Sequence, residues 1–421
     1  MIQEFRVKNC LSVRDEQVLN FVATSDDTAE DYMVVSKGNV RLLKLGFIYG
    51  ANASGKSNML LALGWLIRFM GGWFDSRRTE VMQAPFLLNE DSRNNPTEMG
   101  LVFYIGDVRY EYSMVIKDNI VLKEVLNRYP LGRPALVYNR TWNEETESSE
   151  ITFGSTLKFT AKQKNTLTGL TVPHLSVIAA YINNNIDRNE VFDELKKYLR
   201  RQILPVTTAN SKLEIFSNGL MKMIPNLKEF VIKVLSQADF NISDLTIEEM
   251  KTELPEEVWK ELQSLSDYIE NPPDRTMTED MLFFEHSVLN FKQQLPINLE
   301  SAGTNRMYGL AAILYLLLQS GSVMLSDEIE ASLHYDLVRY YIMLFLFNSD
   351  DSQMICTTHS LLLLDEPFVR RDCINICRKD KAGATEVVRA CEFGLRKDVS
   401  ILTAYREGKL GGVPNLGGMT L

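Results

Sequence analysis

The sequence predicts an α/β protein built from a mixed, strand-rich N-terminal lobe, a compact helical insertion and a parallel-sheet α/β lobe. Three observations lead there. The apolar run 42–49 ends in the glycine-rich string GANASGKS at 50–57 and gives way to helical periodicity. From residue 281 onward, strand-like and helix-like stretches alternate, as they do in a parallel sheet wrapped by helices. Between the two lies 176–280, charged, helical in period and poor in glycine. The expected division is therefore 1–175, 176–280 and 281–421.

With 421 residues the chain has room for two domains, or for one large domain carrying an insertion. Its 45% apolar and 24% charged residues are ordinary for a soluble globular protein. A membrane span needs roughly 18 apolar residues without charge, and the longest such run, 310–318, falls well short of that. Residues 1–11 mix charge with apolar residues and lack the greasy core of a signal peptide, so a cytoplasmic location is expected. Cys10, Cys356, Cys373, Cys377 and Cys391 form no CxxC pair, and no His stands at ligand spacing from Cys373 and Cys377. They read as reduced thiols in or near a core. A net charge of −10 gives a field that does not attract nucleic acid, which leaves such binding open only through a local patch.

Taken in order, residues 2–8 and 17–22 alternate apolar and polar side chains and read as strands, with the acidic stretch 24–39 as a loop. The helix after GANASGKS starts at Lys56 and carries Leu60, Leu61, Leu63, Leu66 and Ile67 on its apolar face. Runs 101–105 and 110–116 flank Gly106 and Asp107 in a hairpin, and 121–128 extends it into a meander. Helices are expected at 195–204, 220–238 and 256–268, the last ended by Pro272 and Pro273. Strands at 281–284 and 294–299 follow, then a helix at 305–319, a strand at 322–325, a helix at 334–347 and a strand at 354–357.

GANASGKS fits the phosphate-loop pattern G-x-x-x-x-G-K-[ST] in full, between a predicted strand and a predicted helix. Gly50 and Gly55 let the backbone curl, so that the amides of Asn52, Ala53, Ser54 and their neighbours through Asn58 surround phosphate oxygens. Lys56 reaches the β- and γ-phosphates and the Ser57 hydroxyl ligates Mg²⁺, while the helix N-terminus adds partial positive charge. A hydrolase also needs a carboxylate for the metal and a group that orients water. VMLSDEIE at 323–330 supplies both at the end of an apolar strand: Asp327 for Mg²⁺, Glu328 for the water.

About 270 residues separate Lys56 from Asp327, far more than a small GTPase or a ring-forming AAA+ core uses for the same step. The two halves of one core must therefore be split by an insertion. LESAGTNR at 299–306 resembles the signature motif of the SMC/RecF/RecN-like branch of ATP-binding-cassette (ABC) ATPases. DEIEASLH at 327–334 resembles that branch's Walker B and D-loop, and CTTHS at 356–360 its switch-histidine strand. The closing YREGKLGGVPNL is similar to the tail of OLD-like and abortive-infection ATPases. Two departures stand out. Ser326 occupies a position that is usually apolar in that branch, which would loosen the strand, and the signature reads ESAGT instead of the transporters' LSGGQ.

The resemblance implies an ABC-type ATPase head with ATP and Mg²⁺ as cofactors. Ser301, Gly303, Thr304 and Arg306 would act in trans on the nucleotide of a second copy, so that a homodimer or higher multiple sandwiches ATP. His359 would contact the γ-phosphate, Gln83 would sense Mg²⁺ as a Q-loop residue, and Asn9 would lie near the nucleotide. His334 takes a structural place in the D-loop.

The insertion is too short, and too broken by Pro205, Pro225 and Pro255, for a long coiled coil. Its cluster Lys196, Lys197, Arg200 and Arg201 reads as a solvated helix face, with nucleic acid or an acidic partner as the competing reading. About 60 residues follow His359, too few for the nuclease domain of OLD-like nucleases, so the effector, a nuclease or toxin, is expected to be a separate protein. The leading expectation is an ATPase that gates such an effector in anti-phage defence. A DNA-clamping repair ATPase and a nucleotide-sensing scaffold without hydrolysis are the alternatives, and Glu328 with His359 weighs against the scaffold.

Overall fold

The protein is described from a computed structural model, which covers residues 1–73, 84–238, 240–253, 259, 276–289, 291–319, 321–396 and 399–413. The chain divides into two compact units, Met1–Ala209 with Leu317–Glu330 and Tyr341–Leu421, and Asn210–Leu316 with Ala331–Tyr340.

The first unit carries two principal sheets. One is antiparallel, seven strands in the order Ser148–Phe153, Ala135–Asn143, Ile120–Tyr129, Val108–Lys117, Thr97–Ile105, Ile2–Lys8 and Gln17–Asn20. The other has five strands in the order Val323–Ser326, Gln353–Thr357, Leu45–Gly50, Ile374–Lys379 and Thr385–Arg389, with only the last antiparallel to its neighbour. This is the α/β class that the sequence predicts. The strand Leu45–Gly50 is buried at every residue, as a central parallel strand should be. The run read as one strand at 42–49 is in fact split: Leu42 and Leu43 end Val40–Leu43, which pairs with Val34–Lys37 in a small separate sheet.

Helix Lys56–Met70 is apolar almost all round, and Met59, Leu60, Leu63, Leu66 and Met70 belong to one core with residues of both sheets. Each such leucine contributes roughly 1.5–3 kcal/mol by leaving water. Leu61 is 43% exposed and lies off that face.

The expected boundary at 175/176 is not where the chain divides. Helix Val177–Asn183 is buried, and the Val177 amide donates to the Glu124 carboxylate at 3.2 Å. The fully buried Arg140 holds the approach to it, donating to the carbonyls of Val172 (3.1 Å) and Pro173 (3.0 Å). Residues 203–207 then run parallel to the edge strand, with Leu204 N donating to Val323 O and Thr207 N to Leu325 O, each at 2.9 Å.

The second unit is not the purely helical lobe expected. Helices Leu213–Met223 and Leu227–Gln237 replace one helix at 220–238, because Pro225 keeps Ile224 extended (φ −118°, ψ 104°). Strands Ile242–Glu253, Thr276–Val288 and Phe291–Pro296 form an antiparallel sheet. Ile242 and Leu245 stand three apart, like a helix face, yet both are buried because a register shift lies between Ile242 and Asp244. Phe284 of this sheet meets Tyr308 edge-on at 5.6 Å, and the Tyr308 hydroxyl donates to Asn218 at 2.6 Å. Of the helix expected at 256–268 only residue 259 is described. Among the described residues no helix is long and apolar enough to cross a membrane.

Candidate functional site

The phosphate-binding loop leaves the buried end of strand Leu45–Gly50. Gly50 (φ +153°) and Gly55 (φ +104°) hold torsions that side chains rarely adopt. A Cβ on Gly50 would run into the Cys377 carbonyl and the Ser54 hydroxyl, and one on Gly55 into the hydroxyls of Thr385 and Ser12. Space as well as torsion therefore demands glycine at both positions. Asn52 and Ala53 are exposed at the tip, where an anion can reach backbone amides. Behind the tip, Thr385 Oγ1 donates to the Ser54 carbonyl (2.9 Å) and lies 2.8 Å from Ser12 Oγ, which accepts from Asn58 Nδ2 (2.8 Å). Asn58 thus braces the loop with its side chain.

Lys56 is buried, with Nζ donating to the carbonyls of Gly50 (2.9 Å) and Ala51 (3.0 Å). Burial pulls its pKa below the ordinary lysine value, against the opposing pull of Cys377, Asp327, Glu328 and Glu330. A phosphate anion beside Nζ would favour the charged form further.

The parallel sheet brings the carboxylates to this loop. Strand Val323–Ser326 lies beside Gln353–Thr357, which lies beside Leu45–Gly50, so the C-terminal ends of all three converge. Ser57 Oγ donates to Asp327 Oδ1 at 2.9 Å. Thr357 Oγ1 donates to the same oxygen at 2.6 Å and accepts the Glu328 amide at 2.8 Å. Glu328 sits at φ +52°, a strained conformation for a non-glycine residue. Glu328 Oε1 lies 3.9 Å from His359 Nε2, and both side chains are about 40% exposed, open to a substrate from solvent. The His359 amide donates to Glu330 Oε1, so the segment after Asp327 also holds the histidine loop.

These groups fit a nucleotide and its metal. Two hard oxygen donors, Ser57 and Asp327, suit Mg²⁺, which takes one or two protein oxygens and fills its octahedron with phosphate and water. The glycine cradle, Lys56 and the helix N-terminus suit a polyphosphate. A cavity of about 520 Å³ among the described residues lies along Leu61, Trp65 and Arg68 of the loop's helix. Its walls are mostly apolar, so it is no place for a triphosphate.

The other predicted residues fall as follows. Gln83 lies outside the described residues. Ser301, Gly303, Thr304 and Arg306 belong to the second unit, at the start of helix Ala302–Gln319. Ser301 Oγ accepts the Thr304 amide at 3.0 Å and so caps that helix. A Cβ on Gly303 would come within 3.0 Å of the Ser332 carbonyl, while Arg306 is buried. His334 is exposed and its Nδ1 accepts the Asp336 amide at 3.3 Å.

The Asn9 side chain is bonded to a neighbouring loop: its Nδ2 donates to the carbonyls of Ser92 and Asn95 (2.8 Å each) and its Oδ1 accepts the Phe86 amide (3.0 Å). The basic cluster is not one solvated face. Lys196, Lys197 and Arg201 are exposed, but the Arg200 guanidinium lies 4.5 Å over the Trp73 ring and donates to the Gly72 carbonyl. Ser326 does not loosen its strand, since its hydroxyl meets Thr207 Oγ1 at 2.9 Å in full burial.

Thr357, Thr207, Ser12, Thr385 and Glu330 are the supports that sequence reasoning missed. The paired threonines of CTTHS carried a signal for Thr357, whereas nothing in sequence joins Ser12 to Thr385.

The family described as "AAA domain, putative AbiEii toxin, Type IV TA system" matches residues 47–365. No curated protein matches significantly. Similar solved structures include an SMC head bound to the C-terminal winged-helix domain of ScpA, 16% identical over 96% of this chain and 99% of that one, with a TM-score of 0.46. An SMC head domain from Thermotoga maritima is 14% identical, over 92% and 98%, with a TM-score of 0.42. An SMC head with an extended coiled coil from Pyrococcus furiosus is 14% identical, over 96% and 98%, with a TM-score of 0.40. The family match runs from the phosphate-loop strand past Asp327, Glu328 and His359, and the chain belongs to this AAA-domain family.

Proposed function

We propose that the chain is an Mg²⁺-dependent ATP hydrolase whose sites are completed when two copies close on each other, and that this closure gates a separate effector in anti-phage defence. The observation that carries the hydrolase reading is the meeting of Ser57, Asp327, Thr357, Glu328 and His359 at the exposed mouth of a phosphate loop. Lys56 and the loop amides bind and orient the triphosphate. Ser57 and Asp327 hold Mg²⁺, which when bound offsets the phosphate charge. Glu328 accepts a proton from the attacking water, and His359, 3.9 Å from it, contacts the γ-phosphate.

The two-copy reading is supported by Ser301 and Gly303, which stand at an accessible helix N-terminus, a natural anion site. The defence reading is supported by the family's description, which names a toxin–antitoxin system.

The test is ATP turnover against Mg²⁺ concentration for wild type and Asp327→Asn. Turnover that needs Mg²⁺ and is weakened in the variant is expected. A folded wild type that binds ATP but releases no phosphate at any Mg²⁺ concentration would remove the hydrolase reading.

A further inference from the structure

The tail of the chain reaches the underside of the phosphate loop. Helix Ile401–Arg406 ends at Tyr405 and Arg406, and the backbone then turns through Gly408 (φ +74°), Gly411 (φ +68°) and Gly412 (φ +77°) around a fully buried Leu410. The Tyr405 hydroxyl donates to the Gly412 carbonyl at 2.7 Å, which closes this turn on itself. Gly412 lies so close that a Cβ there would stand 3.4 Å from Gly50 Cα, 3.4 Å from the Cys377 carbonyl oxygen and 3.0 Å from Ile376 Cγ2. Cys377 is the residue paired with Gly50 across the sheet. The Tyr405 ring meets Tyr49 edge-on at 6.2 Å, and the Tyr49 hydroxyl donates to the Ser360 carbonyl at 3.0 Å.

Tyr49 and Gly50 are therefore the point where two supports divide. The Gly50 carbonyl anchors Lys56 Nζ, and Tyr49 anchors the residue that follows His359. Both rest on the same tail.

We infer that residues 401–412 are a positioning element of the nucleotide site, in which Gly412 and Tyr405 set the end of strand Leu45–Gly50 and, through it, Lys56 and the His359 loop. This rests on the ATPase reading above. Gly412 touches no reacting group; it acts by a left-handed, close backbone approach in which a Cβ would press on Ile376 Cγ2 at 3.0 Å and rest against Gly50 Cα and the Cys377 carbonyl at 3.4 Å. Gly408 provides the matched control, since it has the same left-handed backbone with nothing within 4 Å of a Cβ.

The experiment measures the dissociation constant of Mg·ATP by calorimetry, with KM, kcat and Tm, for the full-length wild type, Gly412→Ala, Gly408→Ala and Tyr405→Phe. Gly412→Ala and Gly408→Ala should lose similar thermal stability, but only Gly412→Ala should weaken ATP binding, by about ten-fold, with KM rising in step. Tyr405→Phe, which removes one hydroxyl, should weaken binding about three-fold and decides the matter alone if Gly412→Ala does not fold. Binding by Gly412→Ala and Tyr405→Phe equal to that of Gly408→Ala would overturn the inference while leaving the ATPase reading intact. A folded wild type that binds no Mg·ATP would overturn both.

Discussion

The phosphate loop and the turn at 301–306 are both assigned to phosphate, yet the chain holds them in opposite ways. The loop rises from a strand buried at every residue and is braced by Ser12, Thr385 and Gly412 from distant parts of the sequence and by Asn58 at its own end. The turn at 301–306 exposes Ser301 and Ala302 beside Leu299 at 68% exposure, buries Thr304 and Arg306, and is held locally by Ser301. A group that works alone is preorganised by its own fold. A group that works on a second copy must stay accessible until that copy arrives.

If that contrast is right, changes in the first region should cost chemistry and changes in the second should cost assembly. Lys56→Met should have the largest effect, a fall in turnover of about a thousand-fold with loss of ATP binding, read by phosphate release and calorimetry. Thr357→Val removes the hydroxyl that holds Asp327 and receives the Glu328 amide. It should cost about 1–3 kcal/mol of stability in denaturant melts, together with turnover. Ser301→Ala should cost only about 1 kcal/mol through the lost helix cap. Its turnover should fall mainly at low protein concentration, where pairing limits the rate. A fall independent of concentration would break the comparison. Ser326→Ala should be smallest, under about 1 kcal/mol, because Thr207 Oγ1 also lies 3.4 Å from the Leu325 carbonyl.

Much of the first region was legible because its chemistry is local. GANASGKS announces its own torsions, and an apolar strand ending in Asp327 and Glu328 declares which end of the sheet they occupy. Long-range support was not legible. Ser12, Thr207 and Thr385 are ordinary polar residues whose meaning depends on which strands lie side by side, and hydroxyl pairs leave no periodic trace. The bonds of Asn9 were hidden for the same reason, since its carboxamide clips a loop more than 75 residues away. The second unit was misread because a bulge lets Ile242 and Leu245, three apart, both be buried, and because acidic residues of its strands are met from a helix, Lys222 pairing with Glu249 and Asp280. Periodicity reports burial of one face; it does not report register shifts.

The central claim is that Glu328 activates water in a site that closes between two copies. The most direct measurement is phosphate release and solution mass for wild type and Glu328→Gln, each with and without Mg·ATP. The account predicts that Glu328→Gln binds ATP as wild type does, hydrolyses it at least about a hundred-fold more slowly and accumulates at twice the protomer mass, or a larger multiple, only when ATP is present. Hydrolysis by Glu328→Gln at the wild-type rate, or a mass that ATP leaves unchanged, would contradict it.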